Sequence, residues 1–303
     1  MIPLKYDVSH SSFKKAVKVE MRRSCFLLGL FTSLWVPLSY AQVRFTLVTP
    51  ETVKQRLDLY KGDDLTRERA LLNSFSGAGC PSNDLSEQPV KKRKEPNVIC
   101  VLPGETDEVI LVGAHFDHVS KGNGVVDNWS GASLLPSLFQ SLLGSKRKHT
   151  FVFVGFTGEE DGFIGSEFYV KQLSQLELSR IRLMVTLDTL GLGATKVWVS
   201  HSDKEAVGLL GGVASATKMP LAAMNIDGFG DSDEAPFAKK KIKTITIHSL
   251  TSETTGVLHT KLDDITAVKF QDYYETYHLL AAYLVVLDSQ LSSGLASSVA
   301  PAL

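Results

Sequence analysis

The feature that most constrains this chain occurs three times: an apolar run of strand length is followed, at once or within three residues, by a histidine or a carboxylate. Val109-Ile110-Leu111-Val112-Gly113-Ala114 runs into His115-Phe116-Asp117. The run 151–156 precedes Gly158-Glu159-Glu160-Asp161-Gly162, and the run 183–187 precedes Asp188. Short continuous apolar runs read as fully buried strands, and the segments between them carry helical periodicity. Such alternation makes an α/β fold. In open α/β sheets ligands bind beyond the carboxyl ends of the strands. Imidazole and carboxylates delivered repeatedly to that edge therefore mark a site.

The remaining pattern supports the same class. Val98-Ile99-Cys100-Val101-Leu102 predicts a further strand. Helices are expected at 134–143, 167–176, 204–217 and 267–287, and additional strands at 197–200 and 242–248. In the closing helix Phe270, Tyr273, Tyr274, Tyr277, Leu280 and Leu284 recur at three and four, an apolar stripe against the sheet. The expected architecture is a single α/β domain with a mixed, mostly parallel sheet flanked by helices on both faces. Its core spans 97–288, preceded by a helical and loop segment at 42–96 and followed by a disordered tail at 289–303. Within the leading segment, 43–76 is loosely helical with no visible chemistry. Residues 77–96, rich in Gly, Pro, Ser and charge, read as a surface loop.

Residues 1–41 read as an N-terminal extension with an export signal. Arg22 and Arg23 precede an apolar run at 25–38, and Ser39 and Ala41 stand before Gln42 as signal peptidase requires. A membrane span needs about 20 apolar residues, so cleavage near Ala41-Gln42 and a periplasmic or secreted destination are expected, with no stable membrane partner. Translation can start at Met1 or Met21. Six basic and two acidic residues leave with the extension, so 26 basic and 31 acidic remain, net −5. The clusters Lys91-Lys92-Arg93-Lys94 and Lys239-Lys240-Lys241 lack interleaved aromatics and read as solvated. No nucleic-acid partner is expected. An oxidising destination leaves Cys80 and Cys100 as a candidate disulfide whose geometry spacing cannot establish.

An isolated Glu-Glu pair is ordinarily a solvated surface feature. At the end of a buried strand, however, Glu159 and Glu160 repel each other unless something positive stands beside them. His115, Asp127, Asp188 and His259 elsewhere in the chain supply the rest of a metal site. Two imidazoles and three carboxylates suit zinc. They are too many for one catalytic zinc, which needs three protein ligands, but shared through one bridging carboxylate they give each of two metals three.

In order and spacing, His115-Phe116-Asp117, Val126-Asp127-Asn128-Trp129-Ser130-Gly131, the segment from Gly158 to Ser166, Leu187-Asp188 and Leu258-His259-Thr260 resemble the co-catalytic di-zinc aminopeptidases of the bacterial leucyl aminopeptidase type. Their superfamily includes glutamate carboxypeptidase II, the transferrin receptor and glutaminyl cyclase. The resemblance implies two Zn²⁺ ions bridged by Asp127. His115 and Asp188 would complete one site, and Glu160 and His259 the other. Glu159 would be the general base, passing a proton from water to the leaving amine of a peptide substrate. Asp117 would accept a hydrogen bond from the far nitrogen of His115. The resemblance also implies a cis Asp127–Asn128 peptide. Val126 and Trp129 depart from the family pattern at positions that could reshape the pocket. Phe229 stands where some relatives place a tyrosine.

Other residues carry plainer readings. His118 is expected beside the site rather than in it. His201 has no pattern behind it, and His248, ending a strand, could face the cleft. The acidic loop 227–234 does not have EF-hand spacing and reads as surface or pocket rim. Asp263 or Asp264 could orient His259. The expected activity is metalloaminopeptidase. A single-zinc glutaminyl cyclase, a carboxypeptidase-like relative and a metal-free binding protein are the alternatives.

Overall fold

In a computed structural model the described residues are 46–228 and 230–291, with two short strands, β1 (Lys5–Asp7) and β2 (Lys18–Glu20), paired antiparallel. The signal features at 22–42, the tail from 292 and Phe229 lie outside the described residues.

The chain continues through α1 (Pro50–Leu57), α2 (Asp64–Gly77), β3 (Leu85–Gln88), β4 (Asn97–Leu102) and β5 (Val109–His115). It then forms α3 (Ser130–Leu142), β6 (Thr150–Phe156), α4 (Ile164–Gln172), α5 (Gln175–Arg180) and β7 (Ile181–Leu187). The last elements are β8 (Thr195–Val197), α6 (Lys204–Thr217), β9 (Leu221–Ala223), α7 (Ala235–Lys239), β10 (Thr244–His248) and α8 (Phe270–Gln290). Eight strands make one sheet in the order β3-β4-β6-β5-β7-β10-β8-β9. The central strands β6, β5, β7 and β10 run parallel, while β3, β4 and the β10–β8 junction pair antiparallel. The sheet is thus mixed, with a parallel centre, as expected.

Strand period two divides the core into two layers. Ile110, Val112 and Ala114 of β5 and Phe151 and Phe153 of β6 face a cluster built with α1, α2, α3, α6 and α8. Leu111, Val152, Val154 and Phe156 face the other side, against Tyr169 and Val170 of α4, Leu178 of α5 and Phe237 of α7. Both faces are covered, which is why the central strands read as continuous apolar runs. Phe75, Phe139 and Phe153, all with no exposed surface, meet in edge-on and tilted contacts. Each such burial contributes about 1.5–3 kcal/mol.

Several boundaries differ from expectation. The helix expected at 167–176 stops at Gln172, because Ser174 caps a new helix in a reciprocal box with Glu177. The strand expected at 197–200 is β8, two residues earlier, and Val199–His201 is a 3-10 turn. The expected surface loop 77–96 contains the edge strand β3, and the N-terminal segment forms α1 and α2. Cys80, just beyond α2, is disulfide-bonded to Cys100 of β4. Among the described residues no helix is long and apolar enough to cross a membrane.

Candidate active site

The parallel strands end together, and their ends build the site. His115 is the last residue of β5, Glu159 and Glu160 follow β6 after Thr157 and Gly158, and Asp188 follows β7. Asp127 comes from the turn before α3, and its peptide with Asn128 is cis. Asn128 is fixed on all sides: its Nδ2 donates to Leu187 O (2.8 Å), and its Oδ1 accepts from Gly131 N (2.9 Å) and Thr189 N (3.2 Å). Gly131 cannot carry a side chain, because a Cβ would lie 2.5 Å from Leu187 O. His259 arrives from the loop before α8 and is the exposed member of the group.

The two oxygens of Asp127 face different histidines. Oδ1 lies 3.4 Å from His115 Nε2, and Oδ2 lies 3.2 Å from His259 Nε2. Asp188 Oδ1 stands 3.8 Å from His115 Nε2, and Glu160 Oε2 3.1 Å from His259 Nε2. Glu159 Oε2 is also 3.8 Å from His115 Nε2. The two carboxylates differ in their hydrogen-bond support. Asp188 accepts from Thr189 Oγ1 (3.0 Å) and Ser232 Oγ (2.5 Å), which orient both of its oxygens.

Asp117 lies just behind this group. Its carboxylate accepts from the backbone amides of Glu159 (3.1 Å) and Glu160 (3.2 Å), tying the β5 and β6 loops together. His115 Nδ1 is 3.6 Å from that carboxylate and 3.3 Å from the Asp117 carbonyl oxygen. Asp263, considered as a partner for His259, is engaged elsewhere: it accepts from Val126 N (2.7 Å) and Asp127 N (3.2 Å).

The charges are poorly matched without a cation. Burial and the charges of Asp233, Asp188 and Asp127 push the Glu159 carboxyl up to about 10, against the pull of His115. Burial and Asp127 push Glu160 up to about 7. Against the cost of burial, His115 and His259 hold Asp127 well below the usual carboxylate range. His259 is raised to about 9 by its hydrogen bond to Asp127, against the cost of burial. Two buried atoms of these residues, His115 Nε2 and Glu160 Oε1, have no hydrogen-bond partner among the described residues. Mixed nitrogen and oxygen donors, unpaired and under net negative charge, fit a divalent metal such as zinc.

The sequence profile of peptidase family M28 matches residues 97–284. The chain belongs to peptidase family M28. Leucine aminopeptidase 2 of Trichophyton rubrum is 33% identical over 113 residues, 37% of this M28 chain and 23% of that protein. This chain therefore matches about a quarter of the length of such curated relatives. Among solved structures, the LapA aminopeptidase of Legionella pneumophila aligns with a TM-score of 0.71 at 19% identity, covering 81% of this chain and 73% of that one. A glutaminyl cyclase from an Acidobacteriales bacterium aligns at 0.64 and 15% identity, covering 80% and 94%. The shared fold is the zinc-exopeptidase α/β architecture.

The pocket beside this M28 site is walled by Trp198, Ile226, Leu250 and Leu258, with Thr246 and His248 among its remaining residues. His248 does face the cleft, yet both ring nitrogens are engaged: Nε2 donates to Met224 O (3.0 Å), and Nδ1 accepts from Leu250 N (3.1 Å). Burial lowers its pKa to about 4, so it is neutral. Trp129 does not shape this pocket. It is buried in the core, donating to Leu57 O (2.9 Å) and Arg56 O (3.2 Å). His118 is paired with Asp64 (2.8 Å), and His201 stacks on Trp198 beside Glu234. Asp233 went unrecognised in the acidic loop. It is fully buried, and burial pushes it up to about 7.

Proposed function

We propose that this chain is a zinc-dependent aminopeptidase that removes N-terminal residues from peptides. The observation that carries the reading is the split of Asp127, with Oδ1 toward His115 and Oδ2 toward His259, while Asp188 stands beside His115 and Glu160 beside His259. The residues that would hold zinc are His115 and Asp188 at one position and Glu160 and His259 at the other, with Asp127 between them. Bound there, zinc supplies Lewis acidity toward the scissile carbonyl and makes water nucleophilic at neutral pH.

The protein's own groups do the proton work. With cationic charge beside it holding its carboxylate ionised, Glu159, 3.8 Å from His115 Nε2, would take the proton from water and return it to the departing amine nitrogen. Asp117 holds the Glu159 and Glu160 amides in place, so base and ligand keep their separation. The walls of Trp198, Ile226, Leu250 and Leu258 suit an apolar N-terminal side chain, and neutral His248 adds no charge. The pattern at 22–42 and the Cys80–Cys100 bond support an exported protein.

The likeness to a glutaminyl cyclase keeps cyclisation of N-terminal glutamine as the second reading. Both activities are assayed on one preparation. The expected result is amine release from leucyl anilide, abolished by a chelator and restored by zinc, with no ammonia released from a glutaminyl peptide. Cyclisation without hydrolysis would overturn the proposal.

A further inference from the structure

The N-terminal segment lies outside the stretch that matches the family profile. Nevertheless, the first turn of α2 touches the loops that carry the proposed ligands. Arg67 is 1% exposed. Its Nε donates to Tyr60 O (3.0 Å), its Nη1 to Phe116 O (3.2 Å) and Gly124 O (3.1 Å), and its Nη2 to Asn123 O. The guanidinium also lies over the Trp129 ring, 5.8 Å from its centroid. Phe116 sits between His115 and Asp117, and Asn123-Gly124 leads into the turn that carries Asp127. One planar cation therefore joins the carbonyls of two ligand-bearing loops.

One turn earlier, Asp64 reaches the same region. Its Oδ1 is 2.8 Å from His118 Nδ1, and its Oδ2 accepts from Arg93 Nη2 at 3.2 Å. Arg93 in turn donates through Nη1 to Asp161 (2.5 Å), the neighbour of Glu160, and lies 3.4 Å from Glu95. Its stem crosses Gly158, where a Cβ would come within 3.2 Å of Arg93 Cδ. Arg93 is thus not a solvated member of a basic run, since its side chain is only 15% exposed.

A buried guanidinium is costly unless its donors are used. Arg67 spends its donors on backbone carbonyls of the β5 loop, the Asp127 turn and Tyr60. We propose that Asp64, Arg67 and Arg93 are positioning residues, which together clamp the His115, Asp127 and Glu160 loops into the metal-binding arrangement. The proposal rests on the metal-site reading above. Groups that hydrogen-bond metal ligands directly are typically worth 10–100-fold in metal affinity, and these residues, acting through the neighbouring backbone, are placed at the lower end of that range.

The test measures zinc affinity by competition with a chromogenic chelator, together with the absorption spectrum of the cobalt-loaded protein and the melting temperature of the stripped protein. Arg67→Lys keeps the charge but loses the fork that serves several carbonyls at once. It is expected to bind zinc about tenfold or more weakly and to shift the cobalt spectrum. Asp64→Asn, at a partly exposed position, removes the charge that Arg93 pairs with and weakens the hydrogen bonds to His118 and Arg93, and is expected to weaken zinc in the same direction. Arg56→Lys is the matched control. That buried guanidinium donates to Ser137 Oγ (2.8 Å) and Gln140 Oε1 (2.6 Å) instead. It should lower the melting temperature with zinc affinity unchanged.

Wild-type zinc affinity in both Arg67→Lys and Asp64→Asn would overturn the clamp. So would an equal loss of affinity in Arg56→Lys, because general destabilisation would then be the cause. Wild-type protein that takes up no zinc would overturn the metal-site reading and the clamp together, a result distinguishable from the other two.

Discussion

Asp263→Asn isolates what holds the backbone of Asp127. The carboxylate accepts two amide hydrogen bonds, from Val126 and Asp127, both buried. A hydrogen bond to a charged acceptor contributes about 1.5–3 kcal/mol. The asparagine keeps one oxygen, now neutral, and turns an NH₂ group toward the other amide, so one bond is lost and one weakened. Burial and the nearby Asp127 charge raise the Asp263 pKa, so removing the charge returns part of that loss. The net expectation is a destabilisation of about 1–3 kcal/mol in the metal-free protein. Urea denaturation of chelator-stripped protein measures it. Zinc affinity should fall about 10–100-fold, because Asp127, proposed as the shared carboxylate, loses its backbone anchor. A variant within about 0.5 kcal/mol of wild type that also binds zinc normally would refute the reasoning.

Two further outcomes follow from other parts of the fold. Replacing Cys80 and Cys100 by serine should cost about 3 kcal/mol, the loop-closure value for their 20-residue separation, read from denaturation with and without reductant. Glu68, 2% exposed, has its carboxyl raised to about 7 by burial and by the charge and hydrogen bond of Glu87. A raised carboxyl makes stability highest below about pH 4.5 and lowers it as pH rises to about 7, since the folded state binds the extra proton there. Glu68→Gln should remove that slope and be more stable than wild type above pH 7, by up to about 3 kcal/mol in thermal melts across pH. An unchanged pH profile would contradict the assignment.

The central strands were legible because both of their faces are buried, leaving unbroken apolar runs whose ends pointed to His115, Glu159, Glu160 and Asp188. The outer parts were harder to read. In α2, Arg67 and Glu68 are buried where apolar periodicity expects solvent, so the helix looked loose and without chemistry. The β3 strand alternates weakly at a sheet edge, and its residues pass for a loop. Arg93 stood in a basic run whose composition says solvent, and only the fold brings Asp64 and Asp161 to it. Asp233 and Asp263 lie in polar loops where no period marks which carboxylate turns inward. The break before α5 was readable, however: Ser174 and Glu177 have capping-box spacing.

Asp127 as a shared carboxylate requires unlike roles for the adjacent Glu159 and Glu160. Zinc titration of the stripped protein and of two variants, with turnover measured on the same samples, tests this most directly. Wild type should take up two zinc ions per chain. Glu159→Gln should keep both while turnover falls about 10²–10⁴-fold, and Glu160→Gln should bind the second ion far more weakly. Uptake of a single zinc by wild type, or equal loss of metal in both variants, would contradict it.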